Sequence, residues 1–316
     1  MSDSSSAQNV APTMQVIQFI GLNKGASGHE TWVLANKDSR VYLAMKKTRN
    51  LKHDLEHDDL PTWTDPVNCK PPEEVDLTTI YPPHHPHYSR LVAREGEAER
   101  SLYMKQVRYL DKACRQDLDD SILAKIGDVV ARDIAICERL KAHPHTNVVE
   151  YRGVFSQNKI PFTIGSTFVE VPLDIERVLG IWYARYDCTL YDLVARDEDF
   201  DVRHCLESIA KGIEHLHALG IVHCDTKPHN IFVKRLPQGR GHQWVIGDFD
   251  SAHEAGARIR LKAGSKHFMR EKSGSDHRAY TSDDWYSFQK VKKWLVCHTG
   301  GTKAIYGGIG KVVAKE

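Results

Sequence analysis

Hydrophobic and polar positions alternate in three short runs near the start of the chain, "VIQFI", "TWVLAN" and "VYLAMKK", with the turn-forming stretches "NKGASG" and "NKDS" between them. Period-two patterning broken by Gly, Asn and Asp predicts strands joined by tight turns, so Val16 to Lys47 reads as a small antiparallel sheet. The Ser-rich residues before it, 1–13, have too few apolar side chains to pack and read as a disordered tail. After the sheet the pattern vanishes. From about Leu51 to Arg90 the chain is rich in Pro, Asp, Glu and His without usable period, which predicts a mobile insertion, placed at the domain level over about 51–120.

A helical period then sets in. Ile122, Ile126, Val129, Val130, Ile136, Cys137 and Leu140 recur at three- and four-residue spacings and form one apolar stripe, and Asp133 lies on it. A carboxylate on a buried face is costly without a partner, so Asp133 requires one. "NVVEYRGVF" and "RVLGIWYARY" predict further strands. Leu206, Ile209, Ala210, Ile213 and Leu216 mark another helix, with Asp201 as N-cap and Gly220 as its stop. "IFVKR" and "QWVIGDFD" flank the turn "LPQGRGHQ" and predict a hairpin.

Composition adds bounds. At 316 residues and 41% apolar content the chain can bury a sizeable core, in one large domain or two lobes. A net charge of +1 gives no global attraction to nucleic acid or anionic membrane, so any anion site must be local. Seven cysteines without a CxxC pair fit free thiols, and with no signal-peptide or membrane-span pattern the expectation is an intracellular protein, cytoplasmic or nuclear.

The candidate chemistry concentrates in "GIVHCDTKPHN", Gly220 to Asn230, where helix gives way to loop. Asp225, followed by Lys227 and Asn230, combines a proton acceptor, a cation able to neutralise phosphate charge and a metal-binding amide. Asp248, at a strand end, adds another oxygen ligand. Hard oxygen donors beside a lysine suit Mg²⁺ and a phosphoryl group. Taken singly, Asp225 and Asn230 also serve as ordinary turn residues.

The set His223, Asp225, Lys227, Asn230, Asp248 and Phe249 resembles the catalytic loop and metal motif of the eukaryotic protein kinase family. The resemblance implies an α+β, bilobal fold: a kinase N-lobe over 14–186, with a small antiparallel sheet and one helix, and a mainly helical C-lobe over 187–316. It implies ATP and Mg²⁺ as cofactors, Asp225 as the base, Lys227 steadying the transferred phosphate, and Asn230 and Asp248 as metal ligands. Gly25 and Gly28 in "NKGASG" resemble the phosphate-covering loop, with Asn23 at the first glycine position. "LAMKK" resembles the strand bearing the phosphate-contacting lysine, which maps to Lys46, with Asp133 at the position of its glutamate mate. Trp182, Tyr183 and Ala184 correspond to the hinge that holds adenine.

Some positions depart from the family. Cys224 replaces the arginine that receives an activation-segment phosphate, and Ser251 to Gly264 holds no Thr or Tyr and one Ser, so no phosphorylation switch is expected there. Asp250 stands where the family has glycine, stiffening the turn and adding a carboxylate beside the metal motif. "GSKHFMRE" resembles the substrate-binding loop, with Ser265 at its hydroxyl position and Glu271 at its acid, one residue short and without proline. Asp284 and "DDWYSFQKVKKWL" resemble the helix that anchors the second lobe, after which the chain looks abbreviated or completed by a partner.

The reading is therefore an ATP- and Mg²⁺-dependent kinase acting on Ser or Thr of protein substrates, since Lys227 resembles the serine/threonine branch. The alternative is a pseudokinase scaffold that binds nucleotide or partners without efficient catalysis. A small-molecule phosphotransferase of related fold is disfavoured by Lys227 and by "GSKHFM". Nucleic acid and membrane are not expected partners.

Overall fold

Alternation in the amino-terminal segment becomes a meander. A computed structural model of the chain describes residues 15–25, 28–37, 40–48, 69–91, 99–107, 126–164, 167–259, 262, 264–270 and 277–298. β1 (Gln15–Gly25), β2 (Gly28–Lys37) and β3 (Arg40–Thr48) pair antiparallel in sequence order, and β4 (Cys69–Glu74) adds to β3. β4 arises where the sequence offered no period, as does a short 3₁₀ turn, Leu77–Thr79, capped by Asp76, whose Oδ1 accepts from the Thr78 N–H at 2.9 Å.

The chain divides into two compact units, one formed by Met1–His84, Val107–Gly127 and Ser156–Leu179, the other by His85–Gln106, Asp128–Phe155 and Gly180–Glu316. The first contains the four-stranded sheet. It also buries the Arg177 guanidinium, which donates to both Asp174 oxygens at 3.0 Å and to the Tyr81 carbonyl at 3.0 Å.

The second unit carries the chemistry. β5 (Leu102–Gln106) lies inside the expected insertion and pairs antiparallel with the end of β7 (Thr167–Ala184), from Leu102↔Ala184 to Gln106↔Gly180. β6 (Tyr151–Ile164) flanks β7 on its other side. Helix α1 (Ile126–Ala142) buries Ile126, Val129, Ile134, Ile136, Cys137 and Leu140 together with Asp133, so the stripe forms largely as the period dictates; Ile122 lies outside the described residues.

Next come β8 (Cys188–Thr189) and α2 (Leu190–Ala195), which opens on a capping box between Thr189 and Asp192. α3 (Val202–Ala218) is capped by Asp201, which accepts from the His204 N–H at 2.9 Å, and it stops at Gly220, whose φ of 70° is left-handed. Its apolar face buries Ile209, Ile213 and Leu216, each such side chain contributing roughly 1.5–3 kcal/mol. β9 (Ile221–Val222) follows. The predicted hairpin is β10 (Ile231–Arg235) with β11 (His242–Ile246), in register from Ile231↔Ile246 to Arg235↔His242, and β8 joins β10. β12 (His253–Glu254) pairs with β9, and α4 (Thr281–His298) is the last described element. No helix among the described residues is long and apolar enough to cross a membrane.

Candidate active site

The stop of α3 at Gly220 sets where the loop 223–230 begins, and Asp284, wholly buried in the first turn of α4, fixes its shape. Asp284 accepts from the backbone N–H groups of His223 and Cys224, both at 2.8 Å, and lies 2.9 Å from His217 Nε2. This support holds Cys224 at a φ of 63°, a conformation that costs a residue with a side chain on the order of 1–3 kcal/mol. His223 Nε2 lies 3.0 Å from the Gly247 carbonyl, which can only accept, so Nε2 carries the proton and Nδ1 accepts from the Asp225 N–H at 3.2 Å.

Asp225 is buried, and each of its oxygens is held in place. Its Oδ2 accepts from Lys227 Nζ at 2.7 Å and from Asn230 Nδ2 at 3.1 Å, and its Oδ1 accepts from the Ser265 N–H at 2.7 Å. Lys227 Nζ also donates to Ser265 Oγ at 2.7 Å. Ser265 can approach because of Gly264, where an added Cβ would fall 2.0 Å from the Cys224 carbonyl oxygen. Asn230 Nδ2 donates to the Asp225 carbonyl at 2.9 Å as well, so the amide nitrogen is committed to Asp225 and Oδ1 is the atom of that amide left to accept. The Gly247 N–H donates to the Asn230 carbonyl at 3.0 Å and ties the loop to the turn bearing Asp248.

The lysine of the site is Lys105. Its Nζ donates to Asp133 Oδ2 at 2.9 Å and to Asp248 Oδ1, and Asp250 Oδ2 stands 3.8 Å away. Asp133 thus has the partner its burial demands, by direct contact although Asp is one methylene shorter than Glu. Lys46, expected in this role, instead pairs with Thr31 and Cys69 in the sheet of the first unit. Gly25 and Gly28 face each other at the end of the β1–β2 hairpin in that same unit. "LYMKQV" carries the same Met-Lys pattern as "LAMKK", and that repetition was the signal available to sequence reasoning.

Burial works against the Lys105 ammonium, but the carboxylates of Asp133, Asp248 and Asp250 more than offset it and hold its pKa well above the usual lysine range. Asp133 is raised, first by burial and then by Asp250 and Asp248, with Lys105 opposing. The carboxylate crowd thus decides the direction for Lys105, while for Asp133 it adds to burial. Behind the pair, Tyr183 Oη lies 3.3 Å from Cys137 Sγ and 3.5 Å from Asp133 Oδ1. Burial pushes the Tyr183 phenol and the Cys137 thiol well up, so both remain protonated.

A cavity of about 410 Å³ opens onto these groups. Its wall includes Tyr103, Val149, Cys188 and Phe232, and its polar part includes Lys105, Asn230 and Asp248. Tyr183 and Ala184 line it, whereas Trp182 is not among its lining residues. Asp248 enters at φ 66°, ψ 76°, after Gly247, where an added Cβ would lie 2.4 Å from Val149 Cγ1. The arrangement offers a slot for a flat ring, one cation for phosphate, two oxygen ligands and a buried carboxylate. Glu271 lies outside the described residues.

The chain belongs to the protein kinase family: the family model of the protein kinase domain matches residues 96–289, more than half of the sequence. The match takes in Lys105 and every loop residue above, and it leaves out Gly25, Gly28 and Lys46. The chain is also similar to the eukaryotic translation initiation factor 2-alpha kinase pek-1 of Caenorhabditis elegans, 24% identical over 165 residues, 50% of this chain. The chain spans 15% of the length of that relative. Among solved structures it resembles the crystal structure of the yeast RNA Pol II CTD kinase CTDK-1 complex, with a TM-score of 0.39 and 15% identity, over 67% of this chain and 62% of that one.

Proposed function

We propose that this chain catalyses ATP- and Mg²⁺-dependent transfer of the γ-phosphoryl group to serine or threonine hydroxyls of proteins. The observation that carries the reading is Lys105 bonded at once to Asp133 and Asp248. A buried carboxylate on a helix and a second carboxylate at a strand end, sharing one lysine at the edge of a cavity, form an electrostatic seat for a polyphosphate.

The residues fit the divalent metal. Asn230 presents Oδ1 because its nitrogen is held by Asp225, and Asp248 keeps Oδ2 while Oδ1 takes Lys105. Two hard oxygen donors in one cavity suit Mg²⁺. When bound, the ion neutralises charge on the phosphates. Lys105 then contributes its ammonium to the nucleotide phosphates, and Tyr103, Val149 and Phe232 take the base. Asp225 accepts the proton of the substrate hydroxyl as its oxygen bonds the γ-phosphorus and the bond to the ADP oxygen breaks. Lys227, already bridging Asp225 and Ser265, neutralises charge on the moving phosphoryl group. Lys227 two positions after Asp225 supports serine or threonine as acceptor.

The test is Mg²⁺-dependent transfer of labelled γ-phosphate to a generic protein substrate, beside an Asp248→Ala variant. Turnover lost in the variant is the expected result. Thermal stabilisation by nucleotide with no turnover in the unaltered protein would replace this reading with the non-catalytic scaffold.

A further inference from the structure

Asp250 occupies the position where the family resemblance expects glycine, yet its backbone is not left-handed; the positive φ in this turn belongs to Asp248. Nor is its carboxylate free to join the metal ligands. Both oxygens accept from Lys262 Nζ, each at 2.5 Å. Its carbonyl accepts from Arg132 at 2.6 Å. Arg132 precedes Asp133 on α1, so two adjacent residues of that helix grip the same turn: Asp133 reaches Asp248 through Lys105, and Arg132 reaches Asp250 directly. Arg132 also meets His253 Nε2 at 3.0 Å, and since His253 Nδ1 lies 2.8 Å from the Ser251 carbonyl, Nε2 is the accepting nitrogen.

We propose that Asp250 is a positioning residue: its carboxylate paired with Lys262 and its carbonyl bonded by Arg132 together form a clamp holding the segment after the metal motif against α1. The clamp rests on the kinase reading above and extends it. Charge balance argues for it. Asp133, Asp248 and Asp250 place three carboxylates around Lys105, and Lys262 and Arg132 supply the two further cations that offset them. The Asp250 side chain is only 14% exposed and that of Lys262 31%, so their attraction is screened less than that of a surface pair. An ordered segment is what a phosphate–arginine contact would otherwise provide. Here Cys224 stands in place of that arginine, and Ser251 to Gly264 holds no Thr or Tyr.

The test compares Lys262→Met and Lys262→Arg with the unaltered protein in two readouts: kcat and KM for ATP in phosphate transfer, and backbone hydrogen exchange across residues 249–259. Lys262→Met is expected to lower kcat by roughly tenfold, the scale of coupling through such networks, with KM for ATP little changed and exchange faster. Lys262→Arg, which keeps the cation, is expected to restore both. Unchanged exchange in Lys262→Met overturns the clamp; faster exchange with unchanged kcat, or no rescue by arginine, overturns its positioning role. An unaltered protein without turnover defeats the kinase reading alone, and the exchange arm still decides the clamp.

Discussion

Lys105 and Asp133 meet at 2.9 Å, joining a five-residue strand to a buried helix face. Their titration follows from their surroundings. Asp133, raised by burial, takes up a proton at a higher pH than it would in the unfolded chain, so acidification through its folded pKa does not weaken the fold through this group, although it removes the charge that pairs with Lys105. Transfer activity is therefore expected to fall on acidification at pH values where far-UV circular dichroism is still native. Loss of both signals in step would contradict this. At the alkaline end the sign is the same and the consequence is a loss. The raised Lys105 contributes stability below its unfolded pKa of about 10.4 and loses it as pH rises through the higher folded value.

Asp225→Asn retains the shape of the loop and removes the proton acceptor. Steady-state kinetics should show kcat lower by roughly 10²–10⁴-fold, the usual contribution of a general base, while the affinity for nucleotide, read by fluorescence titration, stays close to that of the unaltered protein. A variant with near-normal kcat would assign the base elsewhere.

Asp284→Ala strips the acceptor from two buried N–H groups, those of His223 and Cys224. An unsatisfied buried donor costs about 1–3 kcal/mol, so urea denaturation should report a loss of roughly 3 kcal/mol or more. Asp284→Asn, with one acceptor oxygen left, should fall between.

Gly264→Ala would set a methyl group 2.0 Å from the Cys224 carbonyl oxygen and must displace the backbone that carries Ser265. Since the Ser265 N–H holds Asp225 Oδ1, the substitution should lower kcat markedly while the urea midpoint moves little. Equal losses in both would make Gly264 a structural residue only.

Most of the second unit was legible because its signals are local. The caps at Asp201 and Gly220, the β10–β11 hairpin and the loop from His223 to Asn230 each sit within a few positions of the residues they organise. Asp133 announced itself as an acid on an apolar stripe. Lys105 did not, because β5 is short, half-exposed and bounded by aperiodic chain, and what defines it is pairing with β7, far along the sequence. Lys46, set behind a glycine-bearing hairpin, matched the local pattern better, and no local pattern reports which lysine reaches a distant carboxylate. The clamp on Asp250 was equally hidden, since a glycine replaced by aspartate shows its consequence only once Lys262 and Arg132 are seen against it.

The most direct test of the central claim is one labelled-phosphate transfer assay on the unaltered protein, Lys105→Met and Lys46→Met. Lys105→Met should lose roughly 10²–10³-fold in kcat, as removal of a preorganised charge does, and Lys46→Met should transfer at close to the unaltered rate. Full activity in Lys105→Met with loss in Lys46→Met would contradict the account.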